Sequence, residues 1–96
     1  MSVDFLNKLD EAREYANIPF IINSAYRSPS HPLSIKNPTS SHIKGLAVDI
    51  KVNDSRQRFL VLDSLIAVGF TRIGIAGTFI HVDMDFDKSQ NVIWTY

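Results

Sequence analysis

The chain has 96 residues, 45% of them hydrophobic and 21% charged, which predicts one globular domain over residues 1–96. Ten basic and ten acidic residues cancel, so the charge does not favour nucleic acid or an anionic membrane surface as a partner. The absence of cysteine excludes disulfides, thiolate nucleophiles and cysteine-ligated zinc, and no apolar run approaches the roughly 18 residues of a membrane span.

The first predicted elements are a helix and a short strand. Apolar residues recur at helical spacing over residues 4–17: Phe5, Leu6, Leu9, Ala12 and Ala16. Pro19 ends this helix, and residues 20–25 are rich in the β-branched and aromatic residues typical of a strand. Residues 27–44 hold three of the four prolines and predict a long loop, a kind of segment that is often functional.

A second strand and a second helix follow. Residues 46–52 alternate, with Leu46, Val48, Ile50 and Val52 on one face and Ala47, Asp49 and Lys51 on the other, open face. Asp54 and Gln57 have the spacing of a capping box at a helix start, and Gly69 is placed to end that helix in the left-handed conformation. The expected apolar stripe of the helix is Phe59, Leu62, Leu65 and Ile66.

The C-terminal part predicts a β-hairpin and an edge strand. Residues 70–75 and 79–84 flank an Ala76-Gly77 turn, and residues 92–96 are apolar and aromatic enough for a last short strand. The order of elements predicts an α+β fold with a mainly antiparallel sheet and helices packed on one side.

Two short segments carry the candidate chemistry, and they contain two of the three histidines. In residues 79–84 the apolar side chains must face the helices, which places His81 and Asp83 on the opposite, open face. If strand 46–52 pairs with strand 79–84, then Asp49 lies beside His81, and Gly45 permits the chain path that brings His42 over them. Two imidazoles and a carboxylate can bind zinc while leaving one position open for chemistry.

At these residues the chain resembles the M15 peptidases, the family of zinc D-Ala-D-Ala carboxypeptidases and L-alanyl-D-glutamate endopeptidases. The family pattern Ser-x-His-x-x-Gly-x-Ala-x-Asp occurs over residues 40–49, and the later His-x-Asp is His81-Val82-Asp83. Tyr26-Arg27-Ser28 looks like a further family segment. The resemblance covers roughly residues 20–96 and is nearest to the short cell-wall-lytic enzymes of phages and bacteria, including endolysins.

The resemblance implies a small hedgehog-like or DD-peptidase-like fold and a zinc metallopeptidase acting on peptidoglycan stem peptides. Carried over by residue, the zinc ligands would be His42, Asp49 and His81, while Arg27 and Ser40 would bind a carboxylate or carbonyl of the substrate. An arginine fork suits a carboxylate because it donates two parallel hydrogen bonds.

The general base is where the sequence departs from the family. Several members place an acidic residue three positions before the second histidine, and here that position is Thr78. Asp83 is the nearest carboxylate on the ligand face, so we expect it to accept the proton of the attacking water, with Asp85 as second choice. Alternatively, Asp83 orients another group or is only a surface charge. Arg27 could likewise be a solvated turn residue, and Ser40 could only cap the turn.

Other aromatic and histidine residues have plainer interpretations. We expect His31 to be a loop residue outside the metal site, and Trp94 and Tyr96 to pack at the sheet edge, with contact to substrate as their alternative. The other functions left open are a non-catalytic metal-containing cell-wall module and an iron site made by His42, His81 and Asp83. The latter usually needs a jelly roll of about eight strands.

The expected setting follows from the same resemblance. No signal peptide is visible at the N-terminus, so we expect cytoplasmic synthesis and action at the bacterial cell wall. The protein would act there in phage lysis, as part of a virion, or after release by a separate system. The expected partner is the peptidoglycan peptide, with no nucleic acid, no membrane insertion and a monomeric state. The bond that is cut is left open.

Overall fold

The structure is a computed structural model that describes residues 3–24 and 45–96. In this part of the chain, helices α1 (Val3–Ala16) and α2 (Ser55–Ala67) accompany five strands. The strands are β1 (Ile22–Ser24), β2 (Ala47–Lys51), β3 (Arg72–Ile75), β4 (Phe79–Asp83) and β5 (Val92–Thr95). The predicted loop over residues 27–44 lies outside the described residues.

The sheet has the strand order β1-β2-β4-β3-β5. The pairs β1–β2, β2–β4 and β3–β4 are antiparallel, and only the β3–β5 pair is parallel. The predicted α+β class and mainly antiparallel sheet are therefore confirmed. Strand β5 is parallel to β3 because residues 84–91 carry the chain from the end of β4 to the far side of β3 before β5 begins.

One face of the sheet packs against both helices. Alternation along the strands sends every second apolar side chain to this face, where it meets α1 and α2. The buried members are Phe5, Ala12, Val48, Ile50, Val52, Val61, Leu65, Phe70, Ile73, Ile80 and Val82. The opposite face carries the odd-numbered residues of β2 and β4, which include the candidate site.

Helix α2 begins and ends as predicted. The Asp54 carboxylate caps the helix by accepting the N–H of Gln57 at 2.8 Å. The Gln57 side chain in return accepts the N–H of Asn53 at 2.7 Å. Gly69 follows the helix with a φ of 97°, a left-handed conformation that favours glycine.

The predicted apolar stripe of α2 is partly wrong. Phe59 and Ile66 are 67% and 51% exposed, whereas Val61, Ser64 and Leu65 are buried. The Ser64 hydroxyl donates to the Val61 carbonyl at 2.7 Å, which satisfies it inside the core. Helical spacing alone was compatible with burial of either face of α2. The serine at position 64 made the face that is buried look less apolar in the sequence.

Candidate metal centre

The sheet register brings the two histidine–aspartate segments together. Strand β2 pairs with β4 so that Asp49 lies directly opposite His81 and Ala47 directly opposite Asp83. The pairing of these strands, on which the predicted convergence depended, is confirmed. Their shared face is less open than expected, because Ala47 and Asp83 are fully buried.

The His81 imidazole lies between two carboxylates. Its Nδ1 is 2.9 Å from Asp49 Oδ1, and its Nε2 is 2.7 Å from Asp83 Oδ2. Because the two ring nitrogens point in different directions, the two carboxylates lie on different sides of the ring. Asp49 and Asp83, which looked equivalent in sequence, therefore occupy different environments.

Asp83 is a buried and fully engaged carboxylate. Its side chain is 1% exposed, and its Oδ1 accepts the Arg72 Nε–H at 2.7 Å and the Asp85 N–H at 3.1 Å. Burial opposes ionisation, but the hydrogen bonds from His81, Asp85 and Arg72 outweigh it and lower the pKa of Asp83. The alternative that Asp83 is a surface charge is wrong.

The two carboxylates also set the charge of His81. Burial lowers the pKa of the imidazole, but hydrogen bonds and charges from Asp49 and Asp83 outweigh burial and raise it above its ordinary value. Without a metal, the imidazole therefore holds its proton more strongly than a free histidine does. A metal that binds a ring nitrogen of His81 has to displace the proton on that nitrogen.

Asp49 and His81 fit the ligand chemistry of zinc. An imidazole nitrogen and a carboxylate oxygen are both zinc donors, and their 2.9 Å separation is close to the roughly 3.3 Å between two ligands of a tetrahedral zinc. The third predicted ligand, His42, lies outside the described residues, as do Arg27 and Ser40. Within residues 3–24 and 45–96 no group of three side chains could hold a metal.

Electrostatics favour the Asp49 side of His81 for a cation. On the other side, the Arg72 guanidinium is paired with Asp83 and already supplies a positive charge. Asp49 contacts the same imidazole as Asp83 does, and its side chain is more exposed than that of Asp83. The His81 Nε2 contact with Asp83 then matches the carboxylate–histidine pairing that orients many metal ligands.

Two residues beside His81, Arg72 and Gly74, were not singled out from the sequence, whereas Trp94 and Tyr96 were expected to pack at the sheet edge. Arg72 contacts Asp83, and the Trp94 ring lies beside His81, with 5.5 Å between ring centroids. Gly74 pairs with His81 on one side and with Trp94 on the other, and a side chain there would overlap the Trp94 and Tyr96 rings. Arg72 had a signal in the sequence, since it shares the strand face of Gly74 and not that of the core residue Ile73.

Tyr96 is the most exposed of these neighbours. Its ring packs edge-on against Phe79, with 5.2 Å between centroids. Burial and the nearby charges of Asp49 and Asp83 raise the pKa of its hydroxyl, against a hydrogen bond from Trp94 that lowers it. The phenol is thus a protonated donor near the His81–Asp49 pair. The ring packs at the sheet edge as expected, and contact with substrate stays a prediction.

Asp85 was the second choice for the general base. The Asp85 carboxylate accepts the Asp87 N–H at 3.2 Å and lies 3.6 Å from Lys88 Nζ, so these contacts serve the turn after β4. Thr78 is exposed in the turn between β3 and β4, where its carbonyl accepts the Val52 N–H.

A family model described as Peptidase M15 matches residues 2–83. This chain belongs to the Peptidase M15 family. The match begins at the start of α1 and ends at Asp83, so it includes β2, β3 and β4 with the whole Asp49–His81–Asp83 arrangement. No curated protein and no solved structure matches the chain.

The α+β architecture of the described residues is consistent with membership of the M15 family. The iron-site alternative is not retained, because it needed a larger jelly roll and the described sheet has five strands. Among the described residues, neither helix has the length and apolar character required to cross a bilayer.

Proposed function

We propose that this M15 family member is a zinc-dependent peptidase that hydrolyses a peptide bond in bacterial peptidoglycan stem peptides. The observation that carries the proposal is the pairing of Asp49 with His81 on adjacent strands, 2.9 Å apart, inside the segment matched by the family. His42, Asp49 and His81 would hold the metal. Bound zinc would polarise the scissile carbonyl and activate a water molecule.

The protein's own residues would supply orientation and binding. Asp83 would hold the His81 ring through Nε2, which directs Nδ1 toward Asp49. Arg27 and Ser40 would bind the substrate carboxylate or carbonyl, as predicted. The Tyr96 phenol would donate a hydrogen bond to a bound peptide.

The role of Asp83 as general base remains a prediction that its contacts do not favour. Both of its oxygens accept hydrogen bonds inside the protein, and its lowered pKa makes it a weaker base than a free carboxylate. We therefore propose that Asp83 positions His81 and that another group accepts the proton of the water.

The proposed function is tested by measuring amino groups released from purified peptidoglycan. We expect the zinc-loaded protein to release them, a chelator to stop the release, and added zinc to restore it. His81→Ala should abolish release, whereas Asp63→Asn, which changes an exposed carboxylate on α2, should not. Zinc binding without cleavage of any muropeptide would instead support the alternative function, a metal-containing cell-wall module.

A further inference from the structure

Arg72 is the one described arginine that contacts the carboxylate–imidazole cluster of Asp49, His81 and Asp83. Its position follows from the register of β3 and β4, in which Ile73 pairs with Val82 and Gly74 with His81. One step further along the same register, Arg72 lies opposite Asp83. The side chain is 11% exposed, so its charge is largely removed from water and depends on protein partners.

Three parts of the chain fix the Arg72 guanidinium. Nε donates to Asp83 Oδ1 at 2.7 Å, and Nη1 donates to the Ser89 carbonyl at 2.5 Å. The guanidinium also lies over the Trp94 ring, 5.0 Å from its centroid. Contacts from β4, from the turn after it and from β5 therefore leave the guanidinium little freedom to rotate.

The Asp83 carboxylate transmits this constraint to His81. Its two oxygens are used separately, since Oδ1 accepts from Arg72 while Oδ2 contacts His81 Nε2. A rotation of the carboxylate would break both contacts together. The orientation of the His81 ring, and with it the direction of Nδ1, is thus coupled to Arg72.

We propose that Arg72 is a positioning residue of the metal site, which acts through Asp83 to hold His81 Nδ1 toward Asp49. Arg72 does not contact the metal or the substrate. Its charge balances Asp83, so that Asp83 serves as a hydrogen-bond acceptor for His81 while Asp49 remains the carboxylate for the cation. The inference rests on the proposed function in one respect, because it takes zinc as the ion held at Nδ1.

The test compares the Arg72→Gln and Arg72→Lys variants with the wild-type protein, each as the full chain. Zinc affinity is measured by competition with a chromophoric chelator, and the His81 Nε2–H is followed by ¹⁵N NMR in the metal-free protein. Arg13→Gln is the matched control, because it removes an arginine–aspartate pair at 3.3 Å on the exposed face of α1. Thermal unfolding of each variant reports loss of stability separately.

We expect Arg72→Gln to weaken zinc binding by about 10- to 100-fold, the usual effect of losing a group that orients a ligand. The His81 Nε2–H should also exchange faster with solvent. Arg72→Lys should recover part of both properties, because an ammonium group can pair with Asp83 but lacks the planar fork that also reaches Ser89. Arg13→Gln should leave both unchanged.

The proposal is overturned if both Arg72 variants bind zinc and protect the His81 Nε2–H as the wild type does, whether or not their unfolding temperature falls. If Arg72→Gln does not fold, the lysine variant decides by the same two measurements. Absence of zinc binding by the wild-type protein would contradict the proposed function instead. The metal-free Nε2–H measurement would still decide whether Arg72 positions His81.

Discussion

At the scale of residues, the central feature is a single imidazole with a different carboxylate at each nitrogen. The sequence shows two aspartates near histidines, but only the register and burial distinguish their roles. Asp49 faces the side of the ring that suits a cation, whereas Asp83 is enclosed with Arg72. This difference can be tested by changing the carboxylates separately.

Asp83→Asn separates a positioning role from a general-base role. If Asp83 orients His81, the variant should bind zinc about 10- to 100-fold more weakly, because an amide is a poorer acceptor for the Nε2–H. Chelator competition and turnover at saturating zinc are the measurements. Normal zinc affinity with greatly reduced turnover would restore Asp83 as the base, and Asp63→Asn serves as the control.

The raised pKa of His81 predicts how zinc affinity depends on pH. Below this pKa the imidazole carries a proton that zinc must displace, so affinity should fall by about tenfold for each unit of decreasing pH for this one proton. Above it, this contribution should level off. Titration calorimetry at pH 6, below the ordinary imidazole pKa of 6.5, in buffers of different ionisation enthalpy measures the proton released. Zinc binding at this pH with no proton release would contradict the prediction.

At the scale of elements, Gly74 of β3 leaves the space beside the site that the Trp94 and Tyr96 rings occupy. A Cβ atom at Gly74 would lie 2.6 Å from Trp94 Nε1 and 2.8 Å from Tyr96 Cε1. At Gly77, in the turn between β3 and β4, a Cβ would meet nothing within 4 Å. Neither glycine has a positive φ, so the comparison is one of space alone.

Gly74→Ala should therefore displace the rings and destabilise the protein by about 1–3 kcal/mol, the usual cost of overpacking. Trp94 is the only tryptophan, so intrinsic fluorescence reports its displacement directly. Gly77→Ala should change the free energy of unfolding by less than about 0.5 kcal/mol. Equal effects of the two substitutions would show that Gly74 is not required for space.

The cap of α2 gives a second prediction at this scale. Asp54→Ala removes the carboxylate that accepts the Gln57 N–H and should lower the free energy of unfolding by about 1 kcal/mol. Denaturant unfolding measures the change. No loss of stability would mean that the α2 N-terminus does not depend on this cap.

At the scale of the whole molecule, local patterns predicted more than long-range ones. Alternation and capping residues predicted the strands around Asp49 and His81 and the limits of α2, because these features depend on neighbours in sequence. The buried face of α2 was partly mistaken, since Phe59 looked more apolar than the buried Ser64. The Arg72–Asp83 contact and the parallel β5 depend on strand order, which a single sequence does not specify.

The central claim is that Asp49 and His81 hold the metal used to cut a stem peptide. Mass spectrometry of muropeptides after digestion with zinc-loaded protein tests it most directly. We predict new fragments of one hydrolysed peptide bond with the wild type and with Asp63→Asn, and none with Asp49→Ala or His81→Ala. Unchanged fragments from a folded Asp49→Ala or His81→Ala protein would contradict the account.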